Sequence, residues 1–122
     1  MDKLYRILVT GSRDWDDRDR VGDDLQQLFD IAIARGKTPV VVHGSCRGAD
    51  MIADAYAREK GVHVVQVPAL WHFYPRAGGP IRNTVLGELM EYDAVLAYPL
   101  ERSKGTYDMI GKVKKKKRWN DA

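Results

Sequence analysis

Three short stretches of this 122-residue chain combine glycine with a hydroxyl residue, and two of them add arginine: Gly11-Ser12-Arg13, Gly44-Ser45-Cys46-Arg47-Gly48 and Gly105-Thr106. Glycine lets a backbone approach a ligand closely, and exposed N–H groups at a helix start attract anions. A fourth stretch, Gly78-Gly79-Pro80-Ile81-Arg82-Asn83, sets Arg82 and Asn83 where a helix should begin, so that a guanidinium can fork onto phosphate or ribose oxygen. Trp71, Phe73 and Tyr74 lie in one loop and can stack on a base or cap the core, Trp71 being the better stacking candidate. Acid–base chemistry would fall to Asp14, Asp50, Glu88 or Asp108. Each glycine loop taken alone serves a turn. Convergence of all of them at one place would make a phosphate site. Neither GxxxxGK[ST] nor GxGxxG occurs, which disfavours an NTPase or a dehydrogenase. Lone Cys46 with His43, His63 and His72 matches no zinc spacing, so neither a metal site nor a cofactor is expected.

The elements that must position these residues follow from hydrophobic periodicity. Strands are expected over Leu4 to Thr10, Pro39 to His43, His63 to Val67 and Ala94 to Tyr98. Helical spacing of Val21, Leu25, Leu28, Phe29, Ala32 and Ile33 runs to Gly36, a suitable left-handed stop. Ala49, Ile52, Ala53, Tyr56 and Ala57 form a second stripe closed by Gly61. A third helix is expected from about Pro80 to Glu91, and a last one from about Thr106 into the lysine run. Strands alternating with helices predict an α/β, Rossmann-like three-layer fold. Its mainly parallel sheet should have about four or five strands, with helices on both faces. Right-handed crossovers then bring every strand-to-helix loop to the carboxyl edge of the sheet.

With 44% hydrophobic and 30% charged residues, the chain has ordinary globular composition, which argues against wholesale disorder. One domain is expected over residues 1–111. Residues 112–122 read as a basic tail, because they carry Lys112, Lys114, Lys115, Lys116, Lys117 and Arg118 against Asp121. Without them the net charge of +3 becomes −2, so basicity belongs to the tail and not to the fold. The tail could give weak, non-specific nucleic-acid contact, although dense like charges favour a solvated segment. No apolar run is long enough to span a bilayer and no signal-peptide pattern opens the chain, so a cytoplasmic protein without membrane contact is expected.

The order TGSRDW, HGSCRGAD, PALW, AGGPIRN, YP and GT resembles the YspA-type, cpYpsA-related branch of the SLOG superfamily over residues 4 to about 110. The resemblance implies a Rossmann-like sheet binding nucleotides or nucleotide-derived molecules. The superfamily includes Lonely Guy phosphoribohydrolases, DprA-type DNA-processing proteins and sensors of nucleotide derivatives. Against the Lonely Guy pattern, an arginine followed by PGGxGTxxE, Arg82-Asn83 matches the arginine and Gly105-Thr106 matches the GT. The catalytic glutamate would fall on Met109, with Asp108 one position early, and Pro99 is followed by Leu100-Glu101 in place of PGG. The resemblance therefore keeps binding and puts hydrolysis in question. It also implies a final strand that this chain lacks the pattern for, and pairing of subunits through helices, so a homodimer is an expectation.

The leading expectation is a sensor or sequestering module for a nucleotide-type molecule, ADP-ribose-like for example. Its ligand set would be Gly11, Ser12, Arg13, Gly44, Ser45, Arg47, Gly48, Trp71, Arg82, Asn83, Gly105 and Thr106. The alternative is a Lonely Guy-like hydrolase, a nucleotide phosphoribohydrolase or related enzyme cleaving an N-glycosidic or phosphate bond.

Overall fold

A computed structural model of the chain describes residues 3–101 and 103–114, with Leu89 described as backbone only. Four strands, β1 (Leu4–Gly11), β2 (Thr38–His43), β3 (His63–Gln66) and β4 (Ala94–Tyr98), form one sheet in the order β3-β2-β1-β4. Every pairing is parallel, with Ile7 opposite both Val41 and Ala94. Helices α1 (Arg18–Ala34), α2 (Ala49–Glu59), α3 (Gly78–Thr84) and α4 (Lys104–Lys114) complete the described chain. This is the Rossmann-like α/β arrangement that the alternation of patterns predicts, with four strands.

Strand alternation divides the core in two. Tyr5, Ile7 and Val9 of β1 point with Val41 toward Val21, Leu25 and Phe29 of α1 and Ala53 and Ala57 of α2. Leu8 of β1 points the other way, with Val40 and Val42, toward Leu86 and toward Met109 and Val113 of α4. Helix α1 begins where the Asp17 side chain accepts the Arg20 N–H at 3.0 Å. It ends at Gly36, whose φ of +69° is the left-handed stop.

The third helix departs from expectation. It starts two residues before Pro80, and its second half, Val85–Leu89, is a π-turn. Tyr92 donates its hydroxyl to the Leu86 carbonyl at 2.6 Å, giving that widened turn a partner from outside the helix. Gly87 packs against α4, where an added Cβ would lie 2.9 Å from Lys112 Cβ.

Because β2 and β3 lie on one side of β1 and β4 on the other, α1 and α4 leave the sheet toward opposite faces. A crevice must therefore open between the carboxyl ends of β1 and β4. Helix α4 carries Lys112, Val113 and Lys114, and residues 115–122 lie outside the described residues. No helix among the described residues is long and apolar enough to cross a membrane.

Candidate functional site

A cavity of about 920 Å³ occupies that crevice. Gly11, Ser12, Arg13 and Asp14 line it from the end of β1, Gly44 and Asp50 from the end of β2 and the start of α2, and Trp71 from the loop after β3. Arg82 and Asn83 of α3 and Gly105, Thr106 and Asp108 of α4 close the other side. A neighbouring hollow of about 290 Å³ shares Arg13, Gly44, Trp71 and Arg82 and adds Ser45 and Arg47. Gly48 lies in neither of these two, and Glu88 sits in the π-turn away from both.

The loops after β1 and β2 are interlocked. The Ser12 N–H donates to the Tyr98 carbonyl at 2.9 Å, and the Ser12 carbonyl accepts the N–H groups of Trp15 and Ala49 at 3.2 and 3.3 Å. Its hydroxyl accepts the Asp14 N–H at 3.1 Å. Gly48 has φ of +81°, and a Cβ there would run into the Ser12 carbonyl oxygen and the Arg13 carbonyl. The glycine that sequence reasoning offers as a ligand contact is thus the point where one loop rests on the other.

Arg82 is buried and braces the floor. Its Nε donates to Asn83 Oδ1 at 2.7 Å, one terminal nitrogen donates to the Gly44 carbonyl, and the other approaches Cys46 Sγ at 3.5 Å. Gly44 has no room for a side chain because the guanidinium lies against it. Asn83 Nδ2 extends the network to the Gly105 carbonyl and to Asp108 Oδ2, both at 3.0 Å. Asp108 Oδ2 also accepts from Lys112 at 3.0 Å. The carboxylate beside the position of the Lonely Guy glutamate is therefore held by an amide and an ammonium. Met109, at that position itself, is 2% exposed in the core and is among the residues that line the cavity.

Asp50 is the second buried charge. Its Oδ2 accepts the Gly44 and Cys46 N–H groups at 3.1 and 3.3 Å. Burial pushes its carboxyl up to about 6, against the pull of the Cys46 and Gly44 N–H groups, the His43 imidazole and the Arg82 guanidinium. Beneath the loop, His43 is fully buried. Its Nδ1 accepts the Ser45 N–H at 2.9 Å, which assigns the proton to Nε2 and makes the 2.7 Å contact with Asp54 Oδ2 a donation. Burial pushes Asp54 up, but hydrogen bonds from Arg58 and His43 outweigh it and hold the carboxyl below its usual value. Ser45 itself takes φ of +61°, so the imidazole fixes an uncommon backbone conformation at the rim.

Four cations (Arg13, Arg76, Arg82, Lys104) and four acids (Asp14, Asp50, Glu101, Asp108) line the cavity. Asp108 is paired with Lys112, and Asp14 lies 3.8 Å from Arg47 in an exposed ion pair of little strength. The Arg82 guanidinium beside Asp50 offsets its charge, which leaves Arg13, Arg76 and Lys104 facing Asp14 and Glu101. The field that a ligand meets is therefore weighted toward positive. Arg76 and Lys104 are lining residues that sequence reasoning missed. The signal for Lys104 was its place directly before Gly105-Thr106, whereas nothing local marked Arg76. Trp71 is 42% exposed and its ring covers Gly79, where a Cβ would come within 2.9 Å, which explains the paired glycines of α3.

The model of the YspA, cpYpsA-related SLOG family matches residues 5–74, which include the interlocked loops and Trp71. The chain is also similar to the Gene 61 protein of Mycobacterium phage D29, at 38% identity across 92% of this chain and 90% of the phage protein. No solved structure matches. On the family match and the extent of the phage similarity together, the chain belongs to the YspA, cpYpsA-related SLOG family.

Proposed function

We propose that the chain binds an anionic, nucleotide-type small molecule in the crevice between β1 and β4, as a sensor or sequestering module. The observation that carries this reading is the cavity itself. At about 920 Å³ it lies at the point where the strand order reverses, and it is lined by Arg13, Arg76, Lys104 and the first turn of α4. That volume suits a nucleotide or a dinucleotide-sized derivative. Calorimetry with AMP, ADP-ribose, ribose 5-phosphate and inorganic phosphate tests it. Binding of at least one nucleotide, weakened about tenfold by Lys104→Glu at an exposed lining position, is the expected result. No heat from any of the four at millimolar concentration would sink the reading.

The hydrolase reading draws support from one observation. Asp50, with its carboxyl near 6, lines the same cavity as Asp108 and sits in the range of a general acid at neutral pH. Met109 at the glutamate position and the tethering of Asp108 by Asn83 and Lys112 weigh against it. The expected outcome is no release of adenine from AMP at an enzymatic rate of roughly 1 per second, followed by chromatography.

A further inference from the structure

One buried oxygen of a residue that lines the crevice has no partner among the described residues. Asp50 is 4% exposed, and its Oδ2 is occupied by two backbone N–H groups. Its Oδ1 is buried and has no hydrogen-bond partner among the described residues, in a residue that lines the main cavity. A buried acceptor left unsatisfied is a cost to the fold that an incoming donor removes.

We propose that Asp50 Oδ1 receives a hydroxyl hydrogen of the ligand, so that the site selects a phosphorylated sugar or nucleotide with a free ribose diol over a bare anion. The inference rests on the nucleotide-type reading of the cavity. An ionised carboxylate only accepts hydrogen bonds and repels phosphate, so the charged end of the ligand belongs elsewhere. Arg13, Lys104 and Trp71 are exposed members of the lining, in contrast to the buried Asp50 and Arg82. A nucleotide with its phosphate on those cations and its base on that indole has its sugar left to reach the floor, where Asp50 and Arg82 are buried. Arg82 supplies the charge that balances an ionised Asp50 while three of its five N–H groups are already engaged.

The preference for a diol should depend on pH. His43 from β2, Cys46 from the loop and Arg82 from α3 act on Asp50, Asp54 one turn along α2 binds the same His43, and Arg13, Asp14, Arg76, Glu101, Lys104 and Asp108 share its cavity. With its carboxyl near 6, Asp50 is mostly an acceptor at neutral pH and is lost as one on acidification.

Calorimetry on the whole chain compares AMP with 2′,3′-dideoxy-AMP, with ribose 5-phosphate and ADP-ribose as further probes, at about pH 7.5 and about pH 5. The ratio of the two affinities is the readout, because phosphate itself titrates near pH 6 and cancels between them. AMP should bind roughly tenfold more tightly than its dideoxy analogue at the higher pH, and the ratio should fall toward one at the lower. Asp50→Asn should show no preference at either pH. Should that variant fail to fold, the wild-type ratio at the two pH values decides alone. Equal wild-type affinities for AMP and dideoxy-AMP, or a ratio that ignores pH, would overturn the role of Asp50 and leave the site standing. Silence from AMP, ADP-ribose and ribose 5-phosphate alike would overturn both.

Discussion

Arg82 has two claims on it, one from the ligand and one from the fold, and the fold has the stronger. Its guanidinium ties α3 to the loop after β2 through the Gly44 carbonyl and holds the Asn83 amide in place. Arg82→Ala leaves that buried carbonyl without its donor and should destabilise the domain by roughly 3 kcal/mol in urea unfolding. Arg82→Lys, which keeps the charge but not the fork, should fall between the two. Asp50 writes itself into the pH dependence of stability. Its folded carboxyl lies near 6 against an ordinary 3.8, so the folded chain keeps a proton that the unfolded chain has already released. The stability attached to it is full below about pH 4 and is lost as pH rises through about 6, amounting to roughly 3 kcal/mol. Asp50→Asn should therefore gain that much relative to wild type between about pH 4 and pH 7, read from paired denaturant titrations. Asp54 has the opposite sign: its contribution is present above its ordinary value and lost on acidification below it. Sequence alone marks Asp50 and Asp108 equally as carboxylates near glycine loops. Only packing separates them, because the Asn83 amide that reaches Asp108 and the Arg82 guanidinium beside Asp50 both come from α3, far from either carboxylate in the chain.

At the level of elements, two glycines of similar appearance in the sequence have different work. Gly48 stands at positive φ against the carbonyls of Ser12 and Arg13, whereas a Cβ at Gly105 meets nothing within 4 Å. Gly48→Ala should cost more than 2 kcal/mol, combining backbone strain with a clash between loops. Gly105→Ala sits in the first turn of α4, where alanine is the better helix former, and should leave stability unchanged or raise it by up to about 1 kcal/mol. If the open space at Gly105 is where ligand lies, the same substitution should weaken AMP binding, so melting and calorimetry on one protein part in opposite directions. The strands and the stops at Gly36 and Gly61 were legible because alternation and left-handed glycine are local signals. The π-turn of Val85–Leu89 was not, since it depends on Tyr92 and on the approach of α4, neither of which leaves a period in the sequence.

For the molecule as a whole, the sheet order decides where chemistry can be. Four alternating units and a reversal beside β1 bring loops from residue 11 and residue 105 to one crevice, and that convergence was readable from the pattern of strands and glycines. Among the described residues, the lining of the main cavity runs from Val9 to Met109. A chain ending at Lys114 should accordingly bind AMP within about twofold of the full chain and lose only weak, salt-sensitive DNA affinity. A lower melting temperature, or a changed mass by light scattering, would show instead that residues 115–122 belong to the fold. The interlock of the two loops after β1 and β2 has a consequence for how such a protein can diversify. Because Ser12 hands its carbonyl to Ala49 and Gly48 leans on Arg13, neither loop can change length without the other, so both should resist insertions. Arg76, Leu100, Glu101 and Lys104 line the same cavity and take no part in that interlock. A library that aims to re-target the domain to a new molecule would gain its variation there, and would treat the first two loops as a fixed frame.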